Sequence, residues 1–204
     1  MSSAHYFSEN PTGDFSPQPV TVELGGRRVQ VLTAPGIFSP GGVDKGTRIL
    51  LDEAPAPQGA RMLDIGCGWG PITLTLAMAA PQAQIYGVEV NSRSAQLTRM
   101  NAERLGLTNV TVTAPDALDE SLTFDTIWSN PPIRVGKDVL HSIMRTWLPR
   151  LAPGGSAYLV VQKNLGSDSL QKWLAETFPA LVVARYATSK GFRILQVHRP
   201  DLAV

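Results

Sequence analysis

Near the start of the chain, two runs of alternating apolar and polar residues flank a glycine pair. Val20-Thr21-Val22-Glu23-Leu24 comes before Gly25 and Gly26, and Arg27-Arg28-Val29-Gln30-Val31-Leu32 comes after. Period-two alternation about Gly-Gly predicts a tight β-hairpin. The stretch ahead of it is polar and punctuated by Pro11, Pro17 and Pro19, which predicts an extended arm. A Gly/Pro-rich loop over 33–46 follows, then helical spacing over 47–53, closed by Pro55 and Pro57.

Beyond Arg61 the apolar period switches repeatedly between strand and helix. Strands are predicted over 61–65, 84–90, 110–113, 124–129, 156–162, 181–187 and 192–199. Helices are predicted over 72–80, 92–105, 135–150 and 169–178, with Pro81, Gly106 and Pro153-Gly154-Gly155 as stops. This alternation specifies βαβ units. The expected fold is α/β: Rossmann-like and doubly wound, with seven mostly parallel strands and helices on both faces. Ser189-Lys190-Gly191 leaves room only for a turn between the last two strands, so an antiparallel last strand is expected. The arm, hairpin and helix over 1–57 should pack on the α/β domain over 58–204 as one compact unit.

Composition narrows the class. A length of 204 residues suits one domain with a sizeable core. Cys67 stands alone, which excludes an internal disulfide and a cysteine-based zinc cluster. His5, His141 and His198 are too scattered for a metal site, and no metal is expected. No apolar run approaches the ~18 residues of a membrane span, and the N-terminus lacks a signal-peptide pattern. The expectation is a soluble, cytoplasmic protein without membrane partners. The net charge of +1 conceals a gradient. Residues 1–120 hold eight basic and twelve acidic side chains; residues 121–204 hold ten basic and five acidic. Such a split suggests two surfaces with different partners.

Asp64-Ile65-Gly66-Cys67-Gly68-Trp69-Gly70 directly follows a predicted strand and opens a helix. Glycines there let the backbone turn sharply and approach a ligand. The spacing is Gly-x-Gly-x-Gly, unlike the Gly-x-Gly-x-x-Gly of dinucleotide binders, and Asp64 would repel a pyrophosphate. Glu89 ends the second strand, where a carboxylate can accept both hydroxyls of a ribose. Asp116 follows the third strand, within reach of an adenine amino group. Asn130-Pro131-Pro132-Ile133 ends the fourth. The Asn side-chain carbonyl and a proline backbone carbonyl could accept two N–H bonds of a planar amine and stabilise positive charge growing on it. Prolines also fix φ and offer no competing donor.

These motifs together resemble class I S-adenosylmethionine-dependent methyltransferases. His5-Tyr6-Phe7-Ser8-Glu9-Asn10-Pro11, Gly36-Ile37-Phe38-Ser39, Val43-Asp44-Lys45-Gly46-Thr47 and Lys190-Gly191-Phe192-Arg193-Ile194 extend the likeness to the small-subunit rRNA guanine-N2 methyltransferases, single-domain form. The resemblance implies an S-adenosylmethionine site at Asp64, Gly66, Cys67, Gly68, Gly70, Glu89, Val90, Asp116, Ala117 and Asn130. Phe38, Asp44, Gly46 and Thr47 would border its methionine end. Asn130, Pro131 and Pro132 would hold the reacting amine, with Ile133 against the base. Ile133 stands where the family usually carries an aromatic. Arg134, Lys137, Lys190 and Arg193 would contact RNA, in keeping with the basic second half, and the partner would be ribosomal RNA or the small ribosomal subunit.

Two alternatives remain at this level. One is methylation of a protein glutamine amide or of adenine. The other is a cofactor- or RNA-binding module without catalysis. A nicotinamide-dependent oxidoreductase fits least, because the third glycine is at the wrong spacing.

Overall fold

A computed structural model describes residues 14–201 of the chain. The segment 5–11 quoted above therefore lies outside the described residues. The hairpin forms as expected, with β1 (Gln18–Leu24) antiparallel to β2 (Arg27–Thr33). Gly25 and Gly26 have φ of 55° and 72°, the left-handed pair that matches the twist of two flanking strands. After α1 (Lys45–Glu53) comes the alternating domain: β3 (Arg61–Ile65), α2 (Pro71–Ala79), β4 (Gln84–Val88), α3 (Ser92–Arg104) and β5 (Val110–Thr113). It continues with β6 (Phe124–Ser129), α4 (Lys137–Trp147), β7 (Leu151–Gln162), α5 (Ser167–Thr177), β8 (Val182–Ser189) and β9 (Phe192–His198).

The seven strands lie in the order β5-β4-β3-β6-β7-β9-β8. All pairs from β5 to β7 are parallel, and β9 runs antiparallel to both neighbours. The chain winds outward from β3 to β5, then returns to lay β6 on the other side of β3. That reversal makes a crevice at the carboxyl ends of β3 and β6. Apolar side chains fill both sheet faces. Leu63, Phe124, Ile127, Leu159 and Leu195 meet Met144 and Trp147 of α4 and Leu170 and Leu174 of α5. Met62, Ile85, Trp128, Val160 and Ile194 meet α1 and α2 on the opposite face. Val22, Leu24 and Val31 of the hairpin pack on Trp69, Leu74 and Leu97. No helix among the described residues is long and apolar enough to cross a membrane.

Two local expectations change. The helix expected over 135–150 is cut at both ends. Gly136, at φ 104°, separates a short 3-10 turn (Ile133–Val135) from α4, and Leu148–Arg150 forms a second such turn. The expected stop at Pro153-Gly154-Gly155 instead lies inside β7. Phe124 pairs with Leu151 and Thr126 with Ser156, so residues 152–155 bulge opposite Asp125 alone. A Cβ on Gly155 would fall 2.8 Å from the Ala152 carbonyl oxygen and 2.9 Å from that of Phe124, which is why glycine closes the bulge.

Candidate active site

The crevice predicted by the winding holds a cavity of about 300 Å³. Its floor comes from the carboxyl ends of β3 and β4 (Ile65, Gly66, Gly68, Val88, Glu89, Val90). Asn130 and Pro132 bound it after β6, and Ser142, Ile143, Thr146 and Trp147 of α4 close one side. Phe38, half exposed, stands at the wall that leads to a smaller cavity of about 40 Å³. Asp44, Thr47, Cys67 and Trp69 line the smaller space together with Gly66, Gly68 and Asn130.

The glycine loop is fixed from below. The Gly66 and Cys67 N–H groups donate to the Val88 carbonyl at 2.9 and 3.1 Å. The Thr98 hydroxyl donates to the Gly68 carbonyl at 2.7 Å. Asn101 is fully buried; its Nδ2 donates to the carbonyls of Trp69 and Leu32, and its Oδ1 accepts from the Leu32 N–H. The Trp69 indole donates to the Ser39 carbonyl at 3.2 Å. The hairpin and the following loop are thereby tied to the glycine turn. A Cβ built on Gly66 or Gly68 would meet nothing within 4 Å, so the turn presents bare backbone to open space.

Glu89 faces the same turn. Its Oε2 accepts from the Gly68 N–H at 2.8 Å and its Oε1 from the Asn91 N–H at 3.0 Å. Burial pushes its carboxyl above the usual range, partly offset by backbone N–H donors of Asn91, Gly68 and Val90. The carboxylate keeps lone pairs to spare, because each oxygen can accept twice.

Asp64 lies beneath the turn, with no exposed surface. Its Oδ2 accepts from the Thr73 N–H at 2.9 Å and the Thr73 hydroxyl at 2.7 Å, while Oδ1 has no partner among the described residues. Burial raises its carboxyl to about 7, against the pull of Thr73 and with a small push from the Glu89 charge. Cys67 is buried too, and its thiol is pushed well up by burial and by Asp64 and Glu89. Packed with Ala95 and Val112, it serves as a small apolar filler.

Asn130 sits where β6 ends. Its Nδ2 donates to Asp44 Oδ2 at 2.8 Å and to Thr47 Oγ1 at 3.0 Å. Asp44 caps α1, accepting from the Gly46 N–H at 2.8 Å, the Thr47 N–H at 3.2 Å and the Thr47 hydroxyl at 2.6 Å. Phe192, just after the Lys190-Gly191 turn, packs beside Gly46.

Most residues singled out in the sequence come together here, and some do not. Gly70 is buried as the cap of α2 at φ 107°. Pro131 is buried. Pro115 reaches the cavity, whereas Asp116 and Ala117 are exposed on the same turn. Ile133 does not line the cavity; it packs against the core under α4, because the 3-10 turn carries it there. Arg134, Lys137 and Lys190 are exposed. Arg193 is not available to a phosphate. Only 6% exposed, it donates to the Ser167 hydroxyl at 3.0 Å and pairs with Asp168. Strand alternation carried that signal, since Arg193 shares a face with Leu195 and Val197. The α4 wall was not foreseen; its residues are ordinary members of an amphipathic helix.

Residues 28–196 match the family described as methyltransferase small domain. The chain belongs to this family. It is an S-adenosylmethionine-dependent methyltransferase. The uncharacterized Bacillus subtilis protein YbxB is 36% identical over 97% of this chain and 99% of its own length. The ribosomal RNA small subunit methyltransferase C of Hahella chejuensis is 34% identical, over 78% of this chain and 50% of its own. The ribosomal RNA large subunit methyltransferase G of Pseudomonas putida is 31% identical, over 95% and 52%. The methyltransferase thus spans about half the length of those two relatives. The structure of T. thermophilus RsmC, a 16S rRNA N2 methyltransferase solved with AdoMet and guanosine, superposes with a TM-score of 0.76. It shares 27% identity and covers 93% of this methyltransferase and 52% of RsmC. The bare glycine turn beside the part-used Glu89 carboxylate suits a ribose-bearing, phosphate-free cofactor such as S-adenosylmethionine.

Proposed function

We propose that this methyltransferase transfers a methyl group to the exocyclic N2 amine of a guanine in small-subunit ribosomal RNA. The observation that carries the reading is the Asn130 amide. Its NH2 is occupied by Asp44 and Thr47, which leaves the carbonyl oxygen for a ligand in the adjoining cavity. Such an acceptor suits a nitrogen that brings N–H bonds. The T. thermophilus relative, solved with guanosine, supports guanine.

Glu89 would hold the ribose, and Gly66 and Gly68 the rest of the nucleoside edge. Asp44, Thr47 and Phe38 would border the methionine end, and Pro115, Asp116 and Ala117 the adenine. When bound, the cofactor supplies an electrophilic methyl group on a sulfonium. The chain supplies placement. The Asn130 carbonyl and the Pro131 backbone carbonyl accept the N–H bonds of the amine, hold its lone pair in line, and favour the positive charge that develops on it. The surplus proton then leaves to water. Arg134 and Lys137, exposed just after the Asn130 motif, and Lys190, exposed on the turn between β8 and β9, would hold the RNA backbone. The substrate partner on this reading is the small subunit or its RNA; the large-subunit relative supports large-subunit rRNA as a second reading.

Methyl transfer to rRNA and to 30S and 50S particles from a strain lacking the enzyme, followed by mapping of the modified base, tests this. Label on N2 of a 16S guanine is expected. Label on 23S rRNA supports the second reading, and label only on a protein amide refutes both. Asn130→Ala should leave cofactor affinity nearly intact and abolish transfer; unaltered turnover removes Asn130 from the reaction.

A further inference from the structure

An asparagine amide has two ends of nearly equal size, and only the carbonyl end can receive an amine. At Asn130 the choice is made by residues 86 and 83 positions away in the chain. Asp44 Oδ2 lies 2.8 Å from Asn130 Nδ2, and a carboxylate has no proton to give. The Thr47 hydroxyl spends its proton on the same Asp44 oxygen at 2.6 Å, so toward Asn130 it acts as an acceptor. A reversed amide would set its oxygen against two acceptors at close range.

We propose that Asp44, assisted by Thr47, is the positioning residue that holds the Asn130 carbonyl toward the cavity, and that it thereby turns an acceptor, and no donor, toward the incoming amine. The inference rests on the N-methyltransferase reading above. The supporting frame is rigid. Asp44 is immobilised as the helix cap, and Thr47 is 3% exposed. A Cβ on Gly46 would come 3.0 Å from the Phe192 ring and 3.4 Å from both Asn130 Nδ2 and Asp44 Oδ1, so glycine allows this cap to lie against the amide. The Asp44 charge also stands behind the amide. It polarises the Asn130 carbonyl in the sense that favours a growing positive charge on the amine.

Asp44→Asn keeps an acceptor for the Gly46 N–H and remains a good cap, but it places an NH2 where Oδ2 stood. Turnover on the methylatable RNA should fall about 100-fold, the scale of losing one charge-stabilising group. The melting temperature should change little, and the loss should persist at saturating S-adenosylmethionine, which separates it from any weakening at the methionine end that Asp44 borders. The exchange Asp44→Asn with Asn130→Asp restores an acceptor on the cavity side and should recover about tenfold of the lost turnover. In amide NMR spectra of the free protein, the Asn130 NH2 pair, identified by its loss in Asn130→Asp, should sit downfield and move upfield in Asp44→Asn. Unchanged turnover in Asp44→Asn overturns the proposal, as does a loss that the exchange does not recover. If Asp44→Asn fails to fold, Thr47→Val carries the test: a drop in turnover at saturating cofactor supports the role, and full turnover overturns it. A wild-type enzyme that methylates no N–H substrate refutes the proposed function instead, while the NMR measurement still reports the amide orientation.

Discussion

Removing the Glu89 carboxylate tests the cofactor half of the site most directly. Two of its lone pairs are taken by the Gly68 and Asn91 N–H groups at 2.8 and 3.0 Å. On the proposed reading, the remaining ones accept the two ribose hydroxyls. Hydrogen bonds to a charged group contribute about 1.5–3 kcal/mol each, so two give about 3–6 kcal/mol. Keeping a charge in this buried position offsets part of that, as its raised carboxyl shows. A net loss of about 2–4 kcal/mol is expected for Glu89→Ala, a weakening of about 30- to 1000-fold. Glu89→Gln retains one acceptor for the backbone and should fall between. Calorimetric titration with S-adenosylmethionine and with its demethylated product would measure both variants, with thermal melts as the control for the loosened Gly68 turn. Affinity within threefold of wild type in Glu89→Ala would refute the ribose assignment. The raised carboxyl also sets a sign for pH. The ionised form is the acceptor, so wild-type affinity should fall on acidification, starting above the usual carboxylate range, and the Gln variant should not follow it.

Three further outcomes concern charged side chains. Asp64 is raised from 3.8 to about 7, so between those values the folded state keeps a proton that the unfolded chain gives up. Stability from this group is therefore full below 3.8 and is lost as pH rises toward 7, by up to about 1.4 kcal/mol per pH unit. Asp64→Asn should be progressively favoured over wild type in melts from pH 5 to 8; a constant difference would refute this. For RNA, Lys137→Glu or Arg134→Glu should flatten the salt dependence of binding by roughly one unit of slope per lost phosphate contact. Arg193→Met should lower the melting temperature and leave that slope unchanged. The opposite result would return Arg193 to the RNA surface.

The parts of this architecture that depend on local pattern were legible in the sequence. β3, β5 and β6 run over the residues their periodicity indicated, and the two motifs that end β3 and β6 flank one cavity because the chain reverses its winding between them. What escaped depends on distant partners. The pairing of Asn130 with Asp44 joins residues on separate elements, and no spacing rule announces it. The inward turn of Ile133 depends on Gly136, whose φ of 104° breaks the expected helix and redirects the residues before it. The bulge at residues 152–155 looked like a helix stop because Pro-Gly-Gly serves both ends equally well. Arg193 differs in kind: its charge points to the surface, whereas Leu195 and Val197 on the same strand face mark an interior position.

The place of β9 in the sheet bears on how the molecule is made. Phe192–His198 follows β8 in the chain yet lies between β7 and β8. Until it is synthesised, β8 has no neighbour to pair with and the edge of β7 stays open. The floor of the larger cavity, built from β3 and β4, can assemble earlier during translation. The Asn130 side is completed later, because α1, which Asp44 caps, packs against Ile194 and Phe192 of β9. On the proposed reading, a nascent chain would thus acquire its binding surface for the methyl donor before its place for the acceptor is complete. A ribosome stalled just short of Phe192 would hold a protein with half of its chemistry in place.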